Sequence, residues 1–129
     1  MTNQEIYDAA LRFASEVPDT NANGDYKDRA PYLISAICYK YAALDVTYRQ
    51  IHGLDKQKLL AINCFPLPTT FPLSDIFAPP VSMAVAGMLV LGENQKMSEE
   101  LTRMADQFIA EIQESIPFQK EKIQSSYVF

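Results

Sequence analysis

The stretch Asp19 to Ala30, DTNANGDYKDRA, spaces oxygen-bearing side chains as a calcium loop does. Asp19, Asn21 and Asn23 stand at loop positions one, three and five, and Gly24 at six, where such loops turn sharply. A calcium loop takes most of its grip from a bidentate glutamate at position twelve. Here that position is Ala30, and Lys27 puts a positive charge at position nine. The stretch therefore reads as a turn between helices, rich in residues that make local side-chain turns. No metal is expected to bind there.

The other reactive side chains are scattered. Nucleophilic catalysis needs a base beside a serine or cysteine. The single histidine, His52, falls at the end of a helical pattern, where a partly charged imidazole suits the helix dipole. Cys38 and Cys64 sit in apolar contexts and read as reduced, buried thiols. Glu99–Glu100 and Asp25–Asp28 read as helix-end charges, not an acid/base pair in a cleft. No glycine-rich phosphate loop is present. Tyr32, Tyr39, Tyr41 and Tyr48 recur at helical spacing and suit a core or an interface; lining a ligand pocket is the alternative. The expectation is a protein that is not an enzyme and has no cofactor.

The elements that would position these residues are helices. Thr2 and Glu5 make a capping box ahead of Ile6, Ala10, Phe13 and Val17, which predicts helix 1 over 3–16, stopped by Pro18. Asp28 as N-cap and Gly53 as C-terminal stop bracket helix 2 over 29–52. Ile34, Ile37, Tyr41, Leu44, Tyr48 and Ile51 form its seam. Leu33, Ala36, Tyr39, Ala43 and Val46 widen the apolar face, so this helix is expected at the centre. Residues 54–65 suit either a short helix or an extended path. Pro66, Pro68 and Pro72 then favour a stiff, extended linker.

Helix 3, over 80–91, is almost wholly apolar, with Ser82 its one polar side chain. At roughly 17 Å it is too short to cross a bilayer. Such a helix needs cover on every side, from helices 1, 2 and 4 or from another subunit. Met88 and Leu89 are both expected to be buried, and Gly87 with Ala84 and Ala86 to allow close helix approach. Ser98 is expected to cap helix 4, whose stripe is Leu101, Met104, Phe108, Ile112 and Ile116. Pro117 ends that helix. Beyond it, Phe118, Ile123, Tyr127, Val128 and Phe129 punctuate a polar tail and suggest an arm that docks on a neighbour. The organisation expected is one all-α domain, 1–116, of about four helices, followed by an arm, 117–129.

Composition agrees with a globular chain: 129 residues, 48% hydrophobic and 21% charged, with net charge −5. Net acidity argues against grip on phosphates or anionic lipid. The first residues, MTNQEIYDAA, lack the basic start and apolar run of a signal peptide, and with reduced thiols this leads to the expectation of a cytosolic place of synthesis.

The helical order and the stretch LSDIFAPPVSMAVAGMLVL–GENQKMSEELTRMADQFIAEI together resemble the small all-α head–tail connector (adaptor) proteins of tailed bacteriophages and prophages. The matching features are Leu73, Asp75 and Pro79 ahead of an Ala/Leu-rich helix, the turn at Glu93–Asn94, and the helix from Ser98. Gln95 stands where the family pattern has proline. The resemblance implies a homo-oligomeric ring below the portal, partnered by portal and tail-completion proteins. It implies a channel through which DNA passes without sequence-specific binding, no membrane contact, and a place in the bacterial cytoplasm during assembly and then in the virion. Two rivals are a small dimeric interaction or regulatory module and an apolar-ligand carrier between helices 2 and 3.

Overall fold

The computed structural model describes residues 1–14, 24–57 and 65–116. Four α-helices carry the described fold: α1 (Asn3–Phe13), α2 (Gly24–Ile51), α3 (Ala78–Val90) and α4 (Gln95–Glu114). A 3₁₀ turn, Asp75–Phe77, leads into α3. No β-strand longer than an isolated bridge occurs among the described residues. The architecture is a small all-α bundle.

The start of α1 follows from local chemistry and then gains a distant partner. The Thr2 hydroxyl accepts the Glu5 N–H at 3.3 Å, and the Glu5 carboxylate accepts the Thr2 N–H at 3.3 Å. Two further first-turn donors reach across the sequence: Asn3 N–H to Thr69 O at 2.9 Å and Gln4 N–H to Leu67 O at 2.7 Å. A helix leaves its first N–H groups without internal partners, and here the proline-bearing segment supplies them. That segment turns at Pro66–Thr69 and then pairs Thr70 with Thr2. It is therefore bent, not a straight extended strut, over residues 65–72.

Helix α2 begins earlier than Asp28. Gly24 to Asp28 are already helical, and Pro31 lies inside the helix, not in its first turn. Tertiary contacts account for the extension. Tyr26 is buried and its hydroxyl donates to Glu93, while Arg29 donates to the Met88 and Leu89 carbonyls at 3.1 and 3.5 Å. The far end behaves as expected. Gly53 takes φ 65°, and the Leu54 N–H returns to the Arg49 carbonyl at 2.9 Å, closing the helix with a left-handed residue.

Helix α3 is the centre of the bundle, a place the sequence had suggested for α2. It packs on α1, α2 and α4, and every residue from Pro80 to Val90 except Met88 is buried. The chain itself supplies the cover that an all-apolar helix demands. Helix α4 starts one turn before Ser98. Asn94 is the N-cap, its side chain accepting the Met97 N–H at 3.0 Å. Ser98 instead faces the core, because the contact with α3 is very close. A methyl group on Gly87 would stand 3.2 Å from the Ser98 carbonyl oxygen and 3.0 Å from the Thr102 hydroxyl. The buried stripe of α4 is Ser98, Leu101, Ala105, Ile109 and Ile112, with Phe108 exposed.

Candidate functional site

Three features of the described surface and interior can carry function: a buried carboxylate cluster, a cavity beside it, and an exposed apolar line on α2. The cluster forms around Asp45, which has no exposed surface. Its Oδ2 accepts Arg49 Nε and Gln57 Nε2, both at 2.8 Å, and its Oδ1 accepts the Ser74 N–H at 3.0 Å. Arg49 spends its other nitrogens on the carbonyls of Asp55 and Pro72 at 2.9 and 3.2 Å. Burial pushes the Asp45 carboxyl up, but the bonds from Ser74, Gln57 and Arg49 outweigh it and hold the group below the usual carboxylate range. Asp45 is thus a buried anion with its lone pairs engaged. It ties α2 to the loop after it and to the segment before α3, and offers no free base for catalysis.

Sequence reasoning passed over Asp45 and Arg49. The signal was present: Asp45 falls on the α2 seam between Tyr41 and Tyr48, with an arginine one helical turn later. A carboxylate inside an apolar seam has to find partners or neutralise.

A cavity of about 490 Å³ opens next to this cluster, lined by Asn3, Arg49, Lys56, Phe65, Thr69 and Phe71 among others. Asn3 is buried and donates to Pro66 O and Thr69 Oγ1 at 3.3 and 3.0 Å, while its Oδ1 has no partner. That oxygen is itself sealed from the cavity space. The walls mix a guanidinium whose three nitrogens each already donate within the chain, a lysine, the Asp55 carboxylate and aromatic rings, which selects no particular ligand chemistry.

Between α2 and α3 the space is filled by rings. Phe77 lies 6.5 Å from Tyr41 and 6.2 Å from Tyr48. Burial, and then the negative charge of Asp106, raise the Tyr41 hydroxyl above its ordinary range. Cys38 is free and buried, and burial followed by the Asp45 charge pushes its thiol up to about 12. The His52 ring lies tilted beside Tyr48, ring centres 4.3 Å apart, at the end of α2.

The apolar line is the reverse of what the sequence suggests. Ala36, Tyr39, Ala43 and Val46 do not widen the core face of α2 but are exposed, as is Tyr32, with the Tyr39 ring 5.8 Å from that of the buried Phe65. Ile51, expected on the seam, is exposed as well. Leu89 is buried as expected, but Met88 is 40% exposed. Met88 and Leu91, three apart at the end of α3, are both exposed, though Arg29 of α2 reaches the Met88 carbonyl at 3.1 Å. The arm residues Phe118, Ile123, Tyr127, Val128 and Phe129 lie outside the described residues, as do Val17, Cys64 and the calcium-like positions Asp19, Asn21 and Asn23. The second half of that calcium-like stretch is helical, with Ala30 buried in α2. Among the described residues no group of three metal-ligating side chains comes together, and no helix is long and apolar enough to cross a membrane.

Compared with protein-family models, curated proteins and solved structures, the chain matches none.

Proposed function

We propose that the protein is a structural subunit of a tailed-phage or prophage head–tail connector, which forms a ring below the portal and readies the packaged head for the tail. The observation that carries this reading is the construction of residues 73–114. Leu73 and Asp75 lead through a short turn and Pro79 into a buried apolar helix, and a Glu93–Asn94 turn then caps a final amphipathic helix. Those are the boundaries on which the family resemblance rests. The burial of α3 within its own domain removes one reason to require a second subunit. Exposed Tyr32 and Val46 on α2 are available to a neighbouring copy. A net charge of −5 suits a wall past which DNA slides without sticking.

A dimeric interaction module draws on the same α2 face. An apolar-ligand carrier is less well supported, because Tyr41, Tyr48 and Phe77 occupy the α2–α3 contact. Native mass spectrometry, alone and with a cognate portal protein, separates these readings. A large ring, free or templated by the portal, supports the connector. A dimer that ignores the portal, or a monomer with lipid-like bound mass, overturns it.

A further inference from the structure

Residues 65–74 lie outside every helix, yet Phe65, Leu67, Phe71 and Leu73 among them belong to the core. Pro66, Pro68 and Pro72 carry no N–H and fix their own φ, so the segment is stiff and builds no ladder of its own. Thr69 N–H turns back on Pro66 O at 3.1 Å. The ties to the rest of the described structure fall in two sets. One set reaches the start of α1: Phe71 N–H donates to Met1 O at 2.9 Å, while Thr69 O and Leu67 O accept the N–H groups of Asn3 and Gln4 at 2.9 and 2.7 Å. Asn3 Nδ2 adds bonds to Pro66 O and Thr69 Oγ1. The other set reaches α2: Phe65 N–H donates to Pro31 O at 3.3 Å, Pro72 O accepts Arg49 at 3.2 Å, and Ser74 N–H donates to Asp45 at 3.0 Å.

The two sets meet through this segment. Asn3 and Asp45 have no common hydrogen-bond partner among the described residues. A helix that loses a tertiary contact keeps its internal bonds, but residues 65–74 have no such ladder to fall back on. Three prolines also deny the segment the slack to leave one set of ties and keep the other. Lifting it exposes four apolar side chains, so the closed form dominates. The helices and the α3–α4 contact survive that event, so it requires less free energy than unfolding the whole domain.

We propose that residues 65–74 are a strap that opens as one cooperative unit, releasing the first turn of α1 and the Asp45 cluster together while α3 and α4 stay folded. Asp45 is then a positioning residue for the start of α1, with which it shares no hydrogen bond, and Asn3 is one for the Asp45 cluster. The inference is independent of the connector reading.

Native-state hydrogen exchange of the full chain, followed by NMR in low urea, tests this. The amides of Asn3, Gln4, Phe71 and Ser74 are expected to share one opening free energy and one urea slope, both below those of Ala105 and Ile109 in α4. Asp45→Asn should speed exchange at Ser74 by roughly tenfold or more, because the amide loses a charged acceptor. Asn3 and Gln4 should speed up by the same factor. Asn3→Ala should in turn speed Ser74 as much as Gln4, since coupling between two sites is reciprocal. Acceleration at Ser74 without Asn3 and Gln4 means that the two sets of ties open separately and overturns the proposal. Exchange of all four amides with the slope of Ala105 and Ile109 overturns it too, because the strap then opens only with the whole domain. Should Asp45→Asn not fold, the parent's slopes and the Asn3→Ala protein decide by the same criteria.

Discussion

Asp45 is an anion with no exposed surface and a hydrogen bond at each oxygen. Asp45→Asn keeps the shape but turns one donor-accepting oxygen into an amide that faces the donors of Arg49 and Gln57. Breaking a buried charge pair leaves the other charge stranded, so a loss of about 2–4 kcal/mol is expected in denaturant unfolding. The sign of the pH effect follows from the lowered pKa in the fold. The contribution is fully present above the unfolded-state value, about 3.9, and fades as pH falls through the lower folded value. Acid unfolding of the parent should therefore be steeper than that of Asp45→Asn; parallel curves would remove Asp45 from the account. The residue was legible only in part. Its place on an apolar seam and its arginine partner stand in the sequence, but Gln57 and Ser74 come from segments whose paths no local pattern dictates.

At the scale of elements, what was legible was what local chemistry decides. The Thr2–Glu5 capping box and Gly53 set helix ends where expected, because each needs only its own turn of chain. The starts of α2 and α4 were not, because Tyr26–Glu93 and the α3–α4 packing decide them. The inner face of α2 holds Ile34, Ile37 and Tyr41 as expected, but its width was misjudged for the same reason: Ile34 and Tyr39 are equally apolar to a periodicity argument, and only the position of α3 separates them. Two predictions test the central helix. Gly87→Ala gains about 0.5–1 kcal/mol of helix propensity, but its methyl meets the Ser98 carbonyl at 3.2 Å. Overpacking costs about 1–3 kcal/mol, so a net loss of about 1 kcal/mol is expected, and a larger loss for Gly87→Leu. A Gly87→Ala protein more stable than the parent would mean that α4 yields easily. Leu89→Asp should cost several kcal/mol by burying an unpaired charge, while Met88→Asp, on the open last-turn face, should change the unfolding midpoint little. Equal losses would mean that Met88 is covered in solution.

For the whole molecule, the decisive fact is that the core around α3 is closed within a single copy of the chain. Helix α3 is enclosed, Asp45 is satisfied, and the loop at 65–71 caps α1. Residues 118–129 are expected to add little to the stability of that core. If they seat on another copy, burying Tyr127, Val128 and Phe129 contributes a few kcal/mol at about 25 cal/mol per Å², less the cost of ordering the segment. That is enough to bias assembly and too little to hold a domain folded. Deleting residues 118–129 should therefore leave the helical circular-dichroism signal and the melting temperature nearly intact while weakening oligomerisation, read by native mass spectrometry across a concentration series. Loss of the fold on deletion would mean that the segment packs on its own domain and that the core is not closed by 1–116. Unchanged assembly would mean that the contacts between copies lie elsewhere, with the open Met88–Leu91 face the next place to look.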